Sequence, residues 1–234
     1  MTALPSGAEK NALVREMFDR IAPRYDRMNR LLSLGLDQRW RRAALDAIAV
    51  GPGDVVVDLA CGTGDLSELA SARGARVVAV DSAREMLRGA ARRGVAAAFA
   101  RCDVAALPLE TGSATAVTCG FALRNFSEPE ASLREAARVL RPGGRLALLE
   151  VGVPSGRIAR AGHRVWFEGV VPLVGGWLSD RAAYRYLPRS VVYLPADGEL
   201  RALLARAGFE QVTRAAFLLG AAQLYCALRR GSDS

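Results

Sequence analysis

Val55-Val56-Val57-Asp58-Leu59-Ala60-Cys61-Gly62-Thr63-Gly64-Asp65 reads as a buried strand running into a tight turn. Acids bracket the turn, Asp58 before it and Asp65 after it. Glycine at positions 62 and 64 lets backbone approach a ligand with no side chain between. A carboxylate at Asp58, where the strand ends, directs negative charge into the same crevice. This arrangement suits a ligand with a positive amine better than one with a pyrophosphate.

Two nucleotide cofactors compete for such a turn. Nicotinamide enzymes place G-x-G-x-x-G after a strand, with an acid about 20 residues on. Here the third glycine position is Ser67, and Asp58 would repel a pyrophosphate. S-adenosylmethionine carries a sulfonium and an α-amino group, both of which Asp58 would attract. Asp81 closes the next apolar run, Arg76 to Val80, and suits a ribose in either cofactor. The residues therefore favour S-adenosylmethionine over a NAD-dependent oxidoreductase. An ordinary βα turn, in a binding module without chemistry, is the bland alternative.

Outward from the turn, strand and helix signals alternate. Strands are expected at Val55–Leu59, Arg76–Val80, Ala97–Arg101, Ala116–Phe121 and Arg145–Val151, with helices at Asp65–Ala72, Ala83–Arg93 and Pro129–Leu140. This rhythm predicts an α/β, Rossmann-like, mostly parallel sheet with helices on both faces. Ligands of such sheets bind at strand carboxyl ends, where Asp58, Asp81, Asp103 and Gly120 fall. A further helix, Asp197–Ala207, precedes Gly208 as a C-cap and two strands near Val212–Phe217 and Gln223–Leu228, a hairpin at one end of the sheet. Residues 1–50 form a helical N-terminal cover in which Pro23 breaks the pattern near Ile21-Ala22. Residues 51–234 form the main domain, and residues 152–195 interrupt its rhythm as a lid-like insertion.

Composition narrows the function classes. At 51% hydrophobic over 234 residues, the chain can bury a substantial core. No run of about 18 apolar residues suggests a membrane-spanning helix. Met1 to Lys10 lacks the basic head and apolar stretch of a secretory signal, so a cytoplasmic location is expected. Cys61, Cys102, Cys119 and Cys226 form no C-x-x-C pair, and His163 is the lone histidine, so no metal site is expected. The net charge of +8 lies outside residues 51–150, which hold twelve Arg against twelve acids. No nucleic-acid module accompanies the surplus.

Four segments bring a family into view: Tyr25-Asp26-Arg27-Met28-Asn29 with Trp40 following, Leu123-Arg124-Asn125-Phe126, Arg141-Pro142-Gly143-Gly144 closing on Glu150, and Tyr184-Arg185-Tyr186-Leu187-Pro188-Arg189-Ser190. Together they resemble the UbiE/MenG-type C-methyltransferases of ubiquinone and menaquinone biosynthesis. The resemblance implies a class I methyltransferase fold of seven strands with a C-terminal antiparallel insertion. It implies S-adenosylmethionine as methyl donor and a lipophilic prenylated quinol, foremost demethylmenaquinol, as acceptor. Another lipophilic phenol remains the alternative substrate. Carried over to this chain, the cofactor residues are Asp58, Gly62, Thr63, Gly64, Asp81, Ser82, Asp103, Val104 and Gly120. Asp103 would accept from the adenine amine, with capping of Val104-Ala105-Ala106 as its competing role.

C-methylation needs a ring carbon held about 3 Å from the methyl group and a neighbouring phenol favoured as phenolate. Arg124 is the expected phenolate stabiliser, with a surface pair to Glu128 as its bland alternative. Asn125 would orient a ring oxygen, Tyr25 would close over the site, and Asp37 would stand in for a histidine of relatives as proton acceptor. Relatives also often carry Ser at Gly152, Asp at Thr115 and His at Tyr225. Within residues 151–195, six arginines interleave with Trp166, Phe167, Leu173, Val174 and Trp177, which suits peripheral contact with an anionic membrane. A homodimer contact is an alternative use of that segment.

Overall fold

The computed structural model describes residues 7–152, 154, 156 and 190–231. Chain order is α1 (Gly7–Leu32), α2 (Leu36–Ala47), β1 (Val55–Leu59), α3 (Asp65–Ser71), β2 (Arg76–Asp81), α4 (Arg84–Arg92), β3 (Ala98–Arg101), β4 (Ala114–Gly120), α5 (Pro129–Val139), β5 (Leu140–Val151), α6 (Asp197–Arg206), β6 (Phe209–Phe217) and β7 (Ala222–Arg229). These strands form one sheet in the order β3-β2-β1-β4-β5-β7-β6. Strands β1 to β5 pair in parallel, and β7 enters antiparallel between β5 and β6. The direction of the order reverses between β1 and β4, which opens a crevice above their carboxyl ends.

Alternation along β1 explains its continuous apolar run. Val56 joins Leu45, Ile48 and Leu66 in the layer under α2 and α3. Val57 and Leu59 join Leu133, Ala136, Leu200 and Leu204 in the opposite layer under α5 and α6. Both faces are buried, so neither can carry polar residues at no cost. The β6–β7 hairpin lies at one end of the sheet as expected. A left-handed Gln211 (φ 52°) and a register shift between Glu210 and Thr213 let β6 begin at Phe209, ahead of Val212.

Pro23 does not break the cover helix, since α1 runs through it from Gly7 to Leu32. Pro23 lies on the exposed face, where the carbonyl that loses its donor can meet water. The opposite face packs Met17, Ile21 and Ala22 against Ala83 and Met86 of the α4 region, and this burial outweighs the lost hydrogen bond. No described helix is long and apolar enough to cross a membrane. His163, Trp166, Trp177 and most of the 152–195 insertion lie outside the described residues.

Candidate active site

A cavity of about 400 Å³ opens at the carboxyl ends of β1 to β4. Its floor comes from the strand ends: Ala60 and Gly62 after β1, Asp81 closing β2 with Ser82 beyond it, Asp103 and Val104 after β3, and Gly120 closing β4 with Phe121 beyond it. Its roof comes from α1, through Asn11, Val14, Phe18 and Tyr25. Two residues on this floor hold backbone that bulky L residues avoid, Ala60 (φ 48°) and Phe121 (φ 61°). Strain of this kind persists only where surrounding structure enforces it, and here it flanks the switch point on both sides.

Asp81 is 8% exposed and accepts two backbone N–H groups, from Gly62 at 2.8 Å and from Ala83 at 2.8 Å. Burial pushes its carboxyl up to about 6 despite those donors. Asp81 lines the cavity, as an acceptor for a ligand with vicinal hydroxyls must. Gly62 (φ 58°) lies under the Tyr25 ring, whose Cε1 would stand 3.7 Å from any Cβ added there. Asp103 faces the cavity, but its Oδ1 also accepts the Ala105 N–H at 2.9 Å, and Asn11 of α1 donates to Oδ2 at 3.3 Å. Capping and cavity lining thus coexist at this carboxylate. Tyr25 packs edge-on against Phe18 with centroids 5.8 Å apart. Burial raises its phenol pKa, while a hydrogen bond donated by Asn29 and the charges of Arg41 and Arg124 oppose the rise. Asn125 lines the cavity beside Phe126.

Five expected site residues sit off the cavity wall. Asp58 is 1% exposed and accepts hydroxyls from Ser67 at 2.7 Å and Thr118 at 2.8 Å. It lies beneath the glycine loop, and burial raises its pKa. Ser67, the residue in place of a third glycine, is one of the two donors that tie it down. Gly64 (φ 87°) precedes α3 and faces Ala90 and Val95, so its role is packing of the loop on α4. The Thr63 hydroxyl donates to Asp26 of α1. Asp37 is 2% exposed and accepts from Ser33 at 2.7 Å, Gln38 at 3.0 Å and Arg30 at 3.3 Å, so it is engaged within the protein and does not line the cavity where a substrate proton would be. Arg124 does not project into the cavity and does not pair with Glu128. Its Nη1 donates to both Glu150 oxygens at 3.0 and 2.7 Å and to the Phe121 carbonyl at 2.7 Å, and its Nε to Ser190 at 3.0 Å.

Sequence reasoning missed the α1 roof residues Asn11, Val14 and Phe18, whose only signal was their place on one face of an amphipathic helix. It also missed the ion cluster that joins cover to loop. Asp65, at the start of α3, meets Arg30 at 3.1 Å, Arg93 at 3.0 Å and Arg41 at 3.5 Å. Burial pushes the Asp65 carboxyl up, but Arg41, Arg30 and Arg93 outweigh it and hold the pKa below its ordinary value. Among the described residues, no group of three or more His, Cys, Asp or Glu is arranged to hold a metal ion.

The geometry can be set beside known proteins. A family model described as the ubiE/COQ5 methyltransferase family matches residues 6–229. The chain belongs to this family. A demethylmenaquinone methyltransferase of Thermus thermophilus is 46% identical over 200 residues, covering 82% of this chain and 91% of the relative. A ubiquinone/menaquinone biosynthesis C-methyltransferase UbiE of Syntrophotalea carbinolica is 41% identical, covering 92% and 93%. Among solved structures, an S-adenosylmethionine-dependent methyltransferase of Aquifex aeolicus superposes with a TM-score of 0.59 at 17% identity, covering 81% of this chain and 89% of that one. The [4+2]-cyclase SpnF superposes with a TM-score of 0.69 at 15% identity, covering 99% of each chain. That a methyltransferase and a cyclase share one architecture shows that the fold alone does not decide the chemistry. Family membership does: this ubiE/COQ5 protein is an S-adenosylmethionine-dependent methyltransferase, and the oxidoreductase alternative falls away. The residues present fit that cofactor: a buried carboxylate at Asp81, a side-chain-free loop at Gly62, and Asp103-Val104 at the third strand end line one cavity.

Proposed function

We propose that this ubiE/COQ5 protein methylates a ring carbon of a prenylated quinol, with demethylmenaquinol as the first candidate. The observation that carries the reading is the character of the cavity: a polar floor at Asp81 and Asp103 gives way to Val14, Phe18, Phe121 and Phe126, which suit a flat apolar ring. S-adenosylmethionine, when bound, supplies an electrophilic methyl group. Asp81, Ser82, the Gly62 backbone, Asp103, Val104 and Gly120 would hold it. Asn125 would orient a ring oxygen from the cavity wall, and Tyr25 would close the roof and exclude water. Arg124 acts through others. Tied to Glu150 and to the Phe121 carbonyl, it fixes the strained turn after β4 from which Phe121 and Asn125 face the cavity. Turnover of a short-chain demethylmenaquinol with S-adenosylmethionine tests the proposal, with methyl transfer to ring carbon read by mass spectrometry. Methylation at oxygen, or turnover confined to non-prenylated phenols, would reject it.

Such a quinol resides in lipid, and we propose peripheral contact with an anionic membrane on the cavity side of the molecule. The β6–β7 turn lies at that side, because Ala222 pairs with Val151 at the carboxyl end of β5. There Leu218 and Leu219 are 61% and 72% exposed, both with left-handed backbone (φ 45° and 55°). Leu34, between α1 and α2, is 72% exposed, and Arg27 of α1 and Arg39 and Arg42 of α2 are exposed too. Apolar tips among arginines favour an interfacial position.

A further inference from the structure

Arg41 on α2 is 6% exposed, yet its Nε is fully enclosed and has no hydrogen-bond partner. The two nearest carboxylates are offset from it, Asp65 at 3.5 Å and Asp37 at 3.7 Å, and both are already taken up by Arg30 and Gln38. The guanidinium instead stands at the cavity's edge. Its Nη1 would be 2.9 Å from a Cβ placed on Gly120, its Cζ lies 5.2 Å from the centroid of the Phe121 ring, and its charge acts on the Tyr25 phenol. Gly120, Phe121 and Tyr25 all line the cavity. Nε is enclosed on the side of Asp65 and Asp37, so the terminal nitrogen Nη1 beside Gly120 is the donor within reach of a ligand, and a guanidinium fork matches an oxyanion.

We propose that Arg41 is an anion anchor of the cavity, binding a carboxylate or ring oxyanion presented beside Gly120. Two ligands of this enzyme carry such an oxygen: the methionine carboxylate of the cofactor and the ionised ring oxygen of the quinol. Asp37 and Asp65 hold the guanidinium in place without quenching its hydrogen-bonding capacity. Gly120 is then glycine because any side chain would displace Nη1 and the Leu66 methyl, which is 2.8 Å from the same Cβ position.

Calorimetry on the full chain separates the sources. The probes are S-adenosylhomocysteine, which carries the carboxylate, and 5′-methylthioadenosine, which lacks it. In Arg41→Met, anchoring of the carboxylate predicts about 10- to 100-fold weaker S-adenosylhomocysteine binding, as for a charged hydrogen bond, with 5′-methylthioadenosine affinity retained. This arm needs no quinol, so it stands apart from the substrate reading above. Anchoring of the ring oxygen instead predicts unchanged affinity for both nucleosides, a kcat at least about tenfold lower, and a pH–rate profile displaced to higher pH. Equal weakening of both nucleosides would mark a merely structural role and overturn the proposal, as would unchanged binding and unchanged turnover. Should Arg41→Met not fold, the same comparison is made in Arg41→Met/Asp37→Asn, which removes a carboxylate with the cation.

Discussion

Arg124→Ala is expected to be among the most destabilising single truncations in this chain, for an electrostatic reason. Arg124 and Glu150 are 7% and 1% exposed at their side chains, and one guanidinium nitrogen meets both carboxylate oxygens. Removing the arginine leaves Glu150 buried with the Val151 N–H as its remaining partner among the described contacts. An uncompensated buried charge of this kind costs about 3–5 kcal/mol. The Phe121 carbonyl and the Ser190 hydroxyl lose a donor as well. By contrast, the Arg134–Glu130 pair, 62% and 33% exposed, is solvent-screened and contributes little, so Arg134→Ala is the control. Urea unfolding of Arg124→Ala, Glu150→Gln and the double variant forms a cycle. The double variant should be less destabilised than the sum of the singles by at least about 2 kcal/mol, because neither charge is then stranded. Turnover is read in parallel. If Arg124→Ala costs under about 1 kcal/mol yet lowers kcat by about a hundredfold or more, the pair is not structural, and Arg124 stabilises the phenolate directly.

Three further outcomes follow from the same contacts. The Asp81 carboxyl is raised to about 6 from 3.8, so the folded state holds its proton more tightly than the unfolded chain. The stability it contributes is full below about pH 4 and is lost as pH rises through about 6, roughly 3 kcal/mol at most. Asp81→Asn should flatten that stretch of the pH–stability curve, and an unaltered curve would remove the argument. Gly152→Ser restores a residue common in relatives, but its Cβ would collide with the Gly220 carbonyl oxygen, so a loss of about 1–3 kcal/mol is expected in thermal unfolding. Leu218→Asp/Leu219→Asp should abolish co-sedimentation with anionic vesicles at low salt without lowering Tm, and undiminished binding would count against the hairpin as the contact.

The fold was legible because a parallel sheet buried on both faces leaves no polar period to obscure it. Val55 to Leu59 could sit in few other places, and the acids after β2 and β3 fall at strand carboxyl ends, where the cavity opens. Tyr25 and Asn125 were legible only through resemblance to relatives. Charge was the unreliable guide. A carboxylate or guanidinium looks alike in sequence whether it faces ligand or protein, and its partners are set by packing across long separations. Asp58 was assigned to a ligand amine, but it lies off the cavity wall, where Ser67 and Thr118, the latter 60 residues away, donate to it. Arg124 was assigned to a phenolate, but Glu150 arrives from the neighbouring strand, 26 residues on.

By itself, then, the sequence determined the alternation of strands and helices, the glycine-bounded loop and the polar residues at the strand ends. These depend on local periodicity and on the backbone freedom of glycine. Only the tertiary structure decided which charges are spent within the protein and which remain for a ligand. Asp37, Asp58 and Arg124 find buried partners off the cavity wall, whereas Asp81 lines the cavity and Arg41 brings Nη1 close to Gly120 on its wall. The physical reason is that hydrogen-bond capacity is finite and directional, so a group's function is what packing leaves unsatisfied.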